Sequence, residues 1–316
     1  MQKRCAQLKK TMDKYEAFEK LKEYSRNLTS VSYDEIFDLL KNGIKFIPIP
    51  IAKLSKNAYI DRARPNKGKI LFKHIDELGY IKDQNVIDNV LTNFGRANNP
   101  HQVMFYGALE TELIDKPRLT AIAETSHIFR NEGTDCITGE YYSVSRWETQ
   151  EELLVAEVVF SEYALNNNPD VAKSYESQKE MLKKHNLGEK DTAFHLEFLK
   201  FISEEFSKKV TNTEDYKISS AYTNIALSHP DVSGITYPSV QTDYFGINIV
   251  LPPNIVDQFV KPIICSTQIV YKKGKESLIA NGENYCKNID IKKDIEWKEN
   301  DKEILTTIEQ VKEHLK

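Results

Sequence analysis

The run Val103-Met104-Phe105-Tyr106-Gly107-Ala108 is apolar and strand-like, and Leu119-Thr120-Ala121-Ile122-Ala123-Glu124 behind it follows a helical pattern that extends toward Arg130. Working outward, Tyr141–Val144 and Leu153–Phe160 also read as strands, so residues 59–160 are a region of short strands with a helix among them. Downstream, residues 168–229 read as three helices. Asn168 with Pro169 behind it starts the first, and Asp191 is expected to cap the second, which carries Phe194, Phe198, Ile202 and Phe206 at four-residue spacing. Strand signals return at Ile235–Val240 and Ile247–Leu251. Ile263–Tyr271 and Ser277–Ala280 are placed to pair across Lys273-Gly274, and Ile304, Ile308, Val311 and Leu315 mark a terminal helix. The pattern predicts an α+β protein with a mixed sheet and flanking helices.

Upstream, Leu8, Met12, Tyr15, Phe18 and Leu21 give residues 6–27 one apolar helical face. Ser32-Tyr33-Asp34-Glu35 has the spacing of a capping box, and Asn42-Gly43 closes the segment. Pro48 and Pro50 exclude a central strand or helix interior from residues 44–54, which read as an extended connection. The chain divides on this basis into an N-terminal helical extension (1–55), a central domain (56–262) and C-terminal strands and helix (263–316). The first 43 residues hold no group suited to phosphate binding or glycosidic cleavage, and their apolar stripe must be buried on the domain or against a second copy.

The 316 residues are 40% hydrophobic and 28% charged, which is a globular composition and excludes rods and wholesale disorder. With 43 basic and 47 acidic residues the net charge is −4, so no general positive field invites a nucleic-acid backbone. Cys5, Cys136, Cys265 and Cys286 form no C-x-x-C pair, and the start of the chain lacks the apolar core of a signal peptide. A reduced, cytoplasmic protein without structural zinc and without a membrane segment is expected. No P-loop, G-x-S-x-G, H-E-x-x-H or G-x-G-x-x-G motif occurs, and the seven histidines include no i, i+3 or i, i+4 pair, so no metal centre is expected.

Five polar positions set beside turns or within strand patterns stand out in order: Arg62 in Tyr59-Ile60-Asp61-Arg62-Ala63-Arg64, Arg96 in Gly95-Arg96-Ala97-Asn98, Tyr106, Glu124, and Ser239 after Tyr237-Pro238. This order resembles the RES-domain family, named for its arginine, glutamate and serine. The resemblance extends to Tyr141–Trp147, Phe198–Val210 and Gly246–Leu251, and covers roughly residues 56–262. It implies an ADP-ribosyltransferase-like fold that acts on NAD, with inorganic phosphate as a possible co-substrate, no metal, and a toxin or defence role. It also implies a possible Xre-type antitoxin partner, a possible homo-oligomer, and no direct nucleic-acid binding.

The chemistry of such a reaction suits these residue types. Loss of nicotinamide leaves an oxocarbenium-like ribose while two phosphates remain, so cationic forks and a carboxylate are needed. By the resemblance Arg62, Arg96, Tyr106 and Ser239 bind NAD, and Glu124 stabilises the forming cation. Guanidinium grips phosphate through a fork that lysine lacks. Arg64 is the alternative register for Arg62, and Glu110 for Glu124, because Glu110–Pro117 reads as an inserted loop between the tyrosine and the glutamate. Arg62 has a second reading as a surface fork on Asp61 or Asp76. The alternatives to NAD phosphorolysis or hydrolysis are a protein-directed ADP-ribosyltransferase and a non-catalytic module of the same fold.

Overall fold

The computed structural model of the chain describes residues 12–130, 135–185, 187–301, 304–305 and 308–315. Leu8, Cys5 and the start of the first expected helix lie outside them. Ten strands run in chain order: β1 (Ile51–Leu54), β2 (Tyr59–Pro65), β3 (Phe105–Leu109), β4 (Thr138–Thr149), β5 (Leu153–Glu157), β6 (Gly234–Pro238), β7 (Ile247–Leu251), β8 (Val260–Lys273), β9 (Glu276–Lys287) and β10 (Lys298–Glu299). They form one sheet in the order β1-β5-β6-β7-β3-β2-β4-β8-β9-β10, antiparallel except where β5 and β6 run parallel. The principal helices are α1 (Lys14–Ser25), α2 (Tyr33–Asp38), α3 (Arg118–Thr125), α4 (Pro169–Lys184), α5 (Glu189–Ser207) and α6 (Lys217–Leu227). The class is α+β, with a large mixed sheet flanked by helices. No described helix is long and apolar enough to cross a membrane.

Local chemistry explains several boundaries. Ser32 Oγ accepts the Glu35 amide at 3.2 Å and Glu35 Oε2 accepts the Ser32 amide at 3.0 Å, which closes the expected box at the start of α2. Asn168 caps α4 by accepting from the amides of Asp170 and Val171, with Pro169 in the first turn. The hairpin at Gly274 joins β8 and β9, both longer than their apolar cores suggested.

Two expectations are corrected. The second long helix is not capped by Asp191. It begins at Glu189 behind Gly188, whose φ of 79° admits the turn, and Asp191 instead accepts Lys14 Nζ at 2.7 Å from α1. The helix expected over 119–130 is broken at Ser126, where ψ of 126° ends α3 and a separate turn, His127–Arg130, follows.

The limits expected at 55 and 262 fall inside the sheet. β1 pairs with β5, and β8 spans the second limit while pairing with β4 along its length. The apolar stripe of α1 is buried within the chain: Phe18 is 2% exposed and packs edge-on against Phe194 and Phe201 of α5 at 5.5 Å. Met12, expected in that stripe, is exposed.

Near the sheet centre the ladder opens. β2 pairs with β4 from Tyr59 to Pro65 and β3 with β7 throughout, whereas β2 meets β3 at the single position Asp61–Ala108. Asp61 is 1% exposed, and its two oxygens take a fork from its cross-strand partner Arg146, Nε at 2.7 Å and Nη2 at 2.9 Å. Its Oδ2 also accepts the Arg118 amide at 3.0 Å, the first residue of α3. The pairing raises the Arg146 pKa, principally through its hydrogen bonds to Asp61. Arg146→Met leaves a buried carboxylate without its cation and should cost about 3–5 kcal/mol in urea unfolding. A loss below about 1 kcal/mol would show that the pair does not anchor this part of the fold.

Candidate active site

A cleft of about 650 Å³ lies where β2 and β3 part. β2 contributes Arg62, β3 contributes Tyr106 and Gly107, α3 contributes Glu124 and Thr125, and β7 contributes Asn248. The Gly95–Asn98 turn, residues 209, 210 and 216, and the loop after β6 complete the wall. Four of the five residues singled out in the sequence line this cleft. The fifth, Ser239, is fully buried, and its hydroxyl donates to Glu124 Oε1 at 2.6 Å.

Arg62 spans the opened ladder. Its Nη1 donates to the Tyr106 carbonyl at 2.6 Å on β3, and its Nε to the Gly79 carbonyl at 3.1 Å. Burial, with Arg64 nearby, lowers its pKa to about 10, which still leaves it cationic at neutral pH. Nη2 has no hydrogen bond to a described residue. The surface-fork reading is not realised: Asp61 is taken by Arg146, and Asp76 pairs with Lys82 at 2.8 Å. Arg64 donates to the Glu77 carbonyl and does not line the cleft.

Arg96 is mounted on the end of α5. Its Nη1 donates to the Phe206 carbonyl, Nη2 reaches the Lys208 carbonyl at 3.2 Å, and its guanidinium carbon lies 4.9 Å from the Tyr216 ring centre. A cation at these last carbonyls is favoured by the helix dipole. Arg96 therefore anchors the wall as well as lining it.

Tyr106 fastens the Gly95–Asn98 turn to the sheet. Its hydroxyl donates to Asn98 Oδ1 at 2.6 Å and accepts the Ala97 amide at 3.1 Å. Burial pushes its pKa well up, so the phenol keeps its proton. Gly95 is needed at this close approach, because a Cβ there would sit 2.2 Å from Asn98 Oδ1.

Glu124 stands at the last turn of α3, where Ser239 Oγ and Asn248 Nδ2 (2.7 Å) both donate to Oε1. Glu110 lies outside the lining, at the start of the expected inserted loop. Asn248, Lys209 and Tyr216 escaped the sequence reading as site residues. Asn248 had a signal in the sequence, a polar residue between Ile247 and Ile249 in a strand pattern, and the structure leaves it 4% exposed. Lys209 lies in irregular chain, and Tyr216 ends a single 3-10 turn, Thr213–Tyr216, too short to show a pattern. The cleft thus offers three cations, Arg62, Arg96 and Lys209, against two carboxylates, Glu124 and Asp243, among several aromatic rings. Such a surface suits an anionic ligand with a planar group.

No group of His, Cys, Asp and Glu among the described residues could hold a metal ion. Tyr106→Phe removes the donor to Asn98 and the acceptor of the Ala97 amide, and should lower stability by about 1–3 kcal/mol in urea unfolding. It should also speed amide exchange in residues 95–98, read by mass spectrometry; parental exchange there would show that the turn holds itself. No family model matches the chain, and no curated protein does.

Proposed function

We propose that the protein consumes NAD, cleaving the nicotinamide–ribose bond by phosphorolysis or hydrolysis on an ADP-ribosyltransferase-like fold. The observation that carries the reading is convergence: Arg62, Arg96, Tyr106 and Glu124, spread over 63 positions of sequence (62 to 124), line one cleft, and Ser239, far downstream, holds the glutamate. Arg62 and Arg96 face the diphosphate as cations whose local partners are carbonyls, so no protein carboxylate competes with phosphate for them. Tyr106 and Tyr216 supply faces for the rings.

Glu124 acts on the sugar. As the C–N bond breaks, its electron pair leaves with nicotinamide, which departs neutral because its ring nitrogen was cationic in NAD. The positive charge passes to the ribose, where a carboxylate stabilises it. An oxygen of water or inorganic phosphate then bonds to the anomeric carbon, and the proton of the attacking water or phosphate is released to solvent. Ser239 and Asn248, both donating to Oε1, fix the carboxylate without neutralising it. The resemblance to RES domains extends the proposal to a toxin or defence effector held in check by an Xre-type partner.

The purified protein should convert NAD to nicotinamide and either ADP-ribose or its 1″-phosphate, read by mass spectrometry with and without phosphate. A mass increment on protein would favour acceptor-directed transfer, and intact NAD would leave a binding module. Glu124→Gln keeps size and hydrogen-bonding capacity and should lower turnover by roughly 10²-fold or more. Undiminished turnover by this variant would remove Glu124 from the mechanism.

A further inference from the structure

From the end of α5 to the first residue of α6, residues 208–217 form a strap that brings Lys209, Val210 and Tyr216 to the cleft. Each end of the strap is a lysine: Lys208 is fastened to Ser25, the last residue of α1, and Lys217 to the connection between α1 and α2. At one end Lys208 Nζ donates to Ser25 Oγ at 2.8 Å and to Glu205 Oε2 at 2.7 Å, while Ser25 Oγ donates to Glu205 Oε1 at 2.6 Å. Glu205 is 2% exposed while the Lys208 side chain keeps 30% of its exposure, so a buried carboxylate holds a lysine at the edge of solvent. At the other end Lys217, 5% exposed, donates to the carbonyls of Leu28 at 3.0 Å and Val31 at 2.7 Å and pairs with Glu214.

A lysine buried to this degree survives only with its donors satisfied, and here two of the acceptors are backbone carbonyls of the turn after α1. The cleft side of the strap has its own tie. The Lys208 carbonyl accepts Arg96, and Tyr216 lies against the Arg96 guanidinium. The position of two cleft cations and one ring is therefore referred to the N-terminal helices through Lys208 and Lys217.

We propose that Lys208 and Lys217 are positioning residues for ligand binding, and that the N-terminal helical pair, which lines no part of the cleft, sets its affinity by clamping both ends of this strap. The proposal rests on the NAD reading for its ligand, but the clamp itself can be read without turnover.

Lys217→Met and Lys208→Gln, made separately in the full chain, test it. In each folded variant, amide exchange within 208–217 should rise about tenfold or more while β4 and β8 keep parental protection. The Michaelis constant for NAD should rise about tenfold with kcat within about twofold, as expected when binding geometry loosens but the carboxylate stays in place. Because Lys217→Met leaves two carbonyls unpaired and can destabilise the chain, the Lys208→Gln variant, whose site borders solvent, provides the second arm. Parental exchange of the strap in both variants would overturn the clamp. Faster exchange with an unchanged Michaelis constant would overturn its role in binding. Should the parent cleave no NAD, the function proposed above fails, and the exchange measurement still decides whether the clamp exists.

Discussion

The buried pair of Asp61 and Arg146 is the constraint on which the site depends. Asp61 stands at the only position where β2 meets β3, it takes the fork of Arg146 from β4, and it receives the first amide of α3. One carboxylate thereby fixes two strands and a helix start around the point where the sheet opens. Removing a carboxylate from water is costly, and only a complete set of donors makes the position tenable. That cost is also what gives the arrangement its specificity. A shifted register of β2 would move Asp61 off Arg146 and turn Arg62 away from the cleft, since adjacent residues of a strand face opposite sides.

The cleft's own cations are mounted differently. Arg146 is neutralised by a carboxylate and stays out of the cleft, whereas Arg62 and Arg96 are held by carbonyls of Tyr106, Gly79, Phe206 and Lys208. A carbonyl orients a guanidinium without cancelling its charge, so the cleft keeps a positive potential available to a ligand. The lowered pKa of Arg62 has the same origin: burial is incompletely compensated by neutral dipoles. A phosphate entering the cleft would supply the missing anion, which couples binding affinity to the strain of holding unpaired charge.

What was legible in the sequence follows the range of the interactions concerned. The Ser32 box, the Asn168 cap and the Gly274 hairpin are completed by residues two or three positions away, and a linear reading finds them. Arg62, Arg96, Tyr106 and Glu124 were legible as an ordered set, although their juxtaposition requires the fold. Asp191 failed as a cap because Lys14, far away in sequence, holds it while Gly188 supplies the turn. The break at Ser126 was hidden by a continuing apolar pattern, and the strap was hidden because lysines read as surface residues until their acceptors are known. The resemblance places Ser239 at the ligand, and its hydroxyl donates to Glu124, a contact that only side-chain placement reveals.

The precision available to Glu124 comes from how α3 is held. This helix has eight residues, too few for an isolated helix to be stable, so its order derives from tertiary contacts. Asp61 secures its first amide, and Thr120 in its first turn lies so close to Gly246 that a Cβ there would be 2.1 Å from Thr120 Oγ1. Gly246 leads directly into β7, which carries Asn248, and its carbonyl accepts the Ser239 amide at 2.8 Å. The same short stretch of chain therefore sets the height of α3 and the positions of both donors to Glu124. Carboxylate and donors are thus tied to one another through contacts that do not involve the strap. On the proposed reading such a site separates its two tasks: one wall fixes the carboxylate that meets developing charge, and the other, referred to the N-terminal helices, governs how firmly the ligand is held.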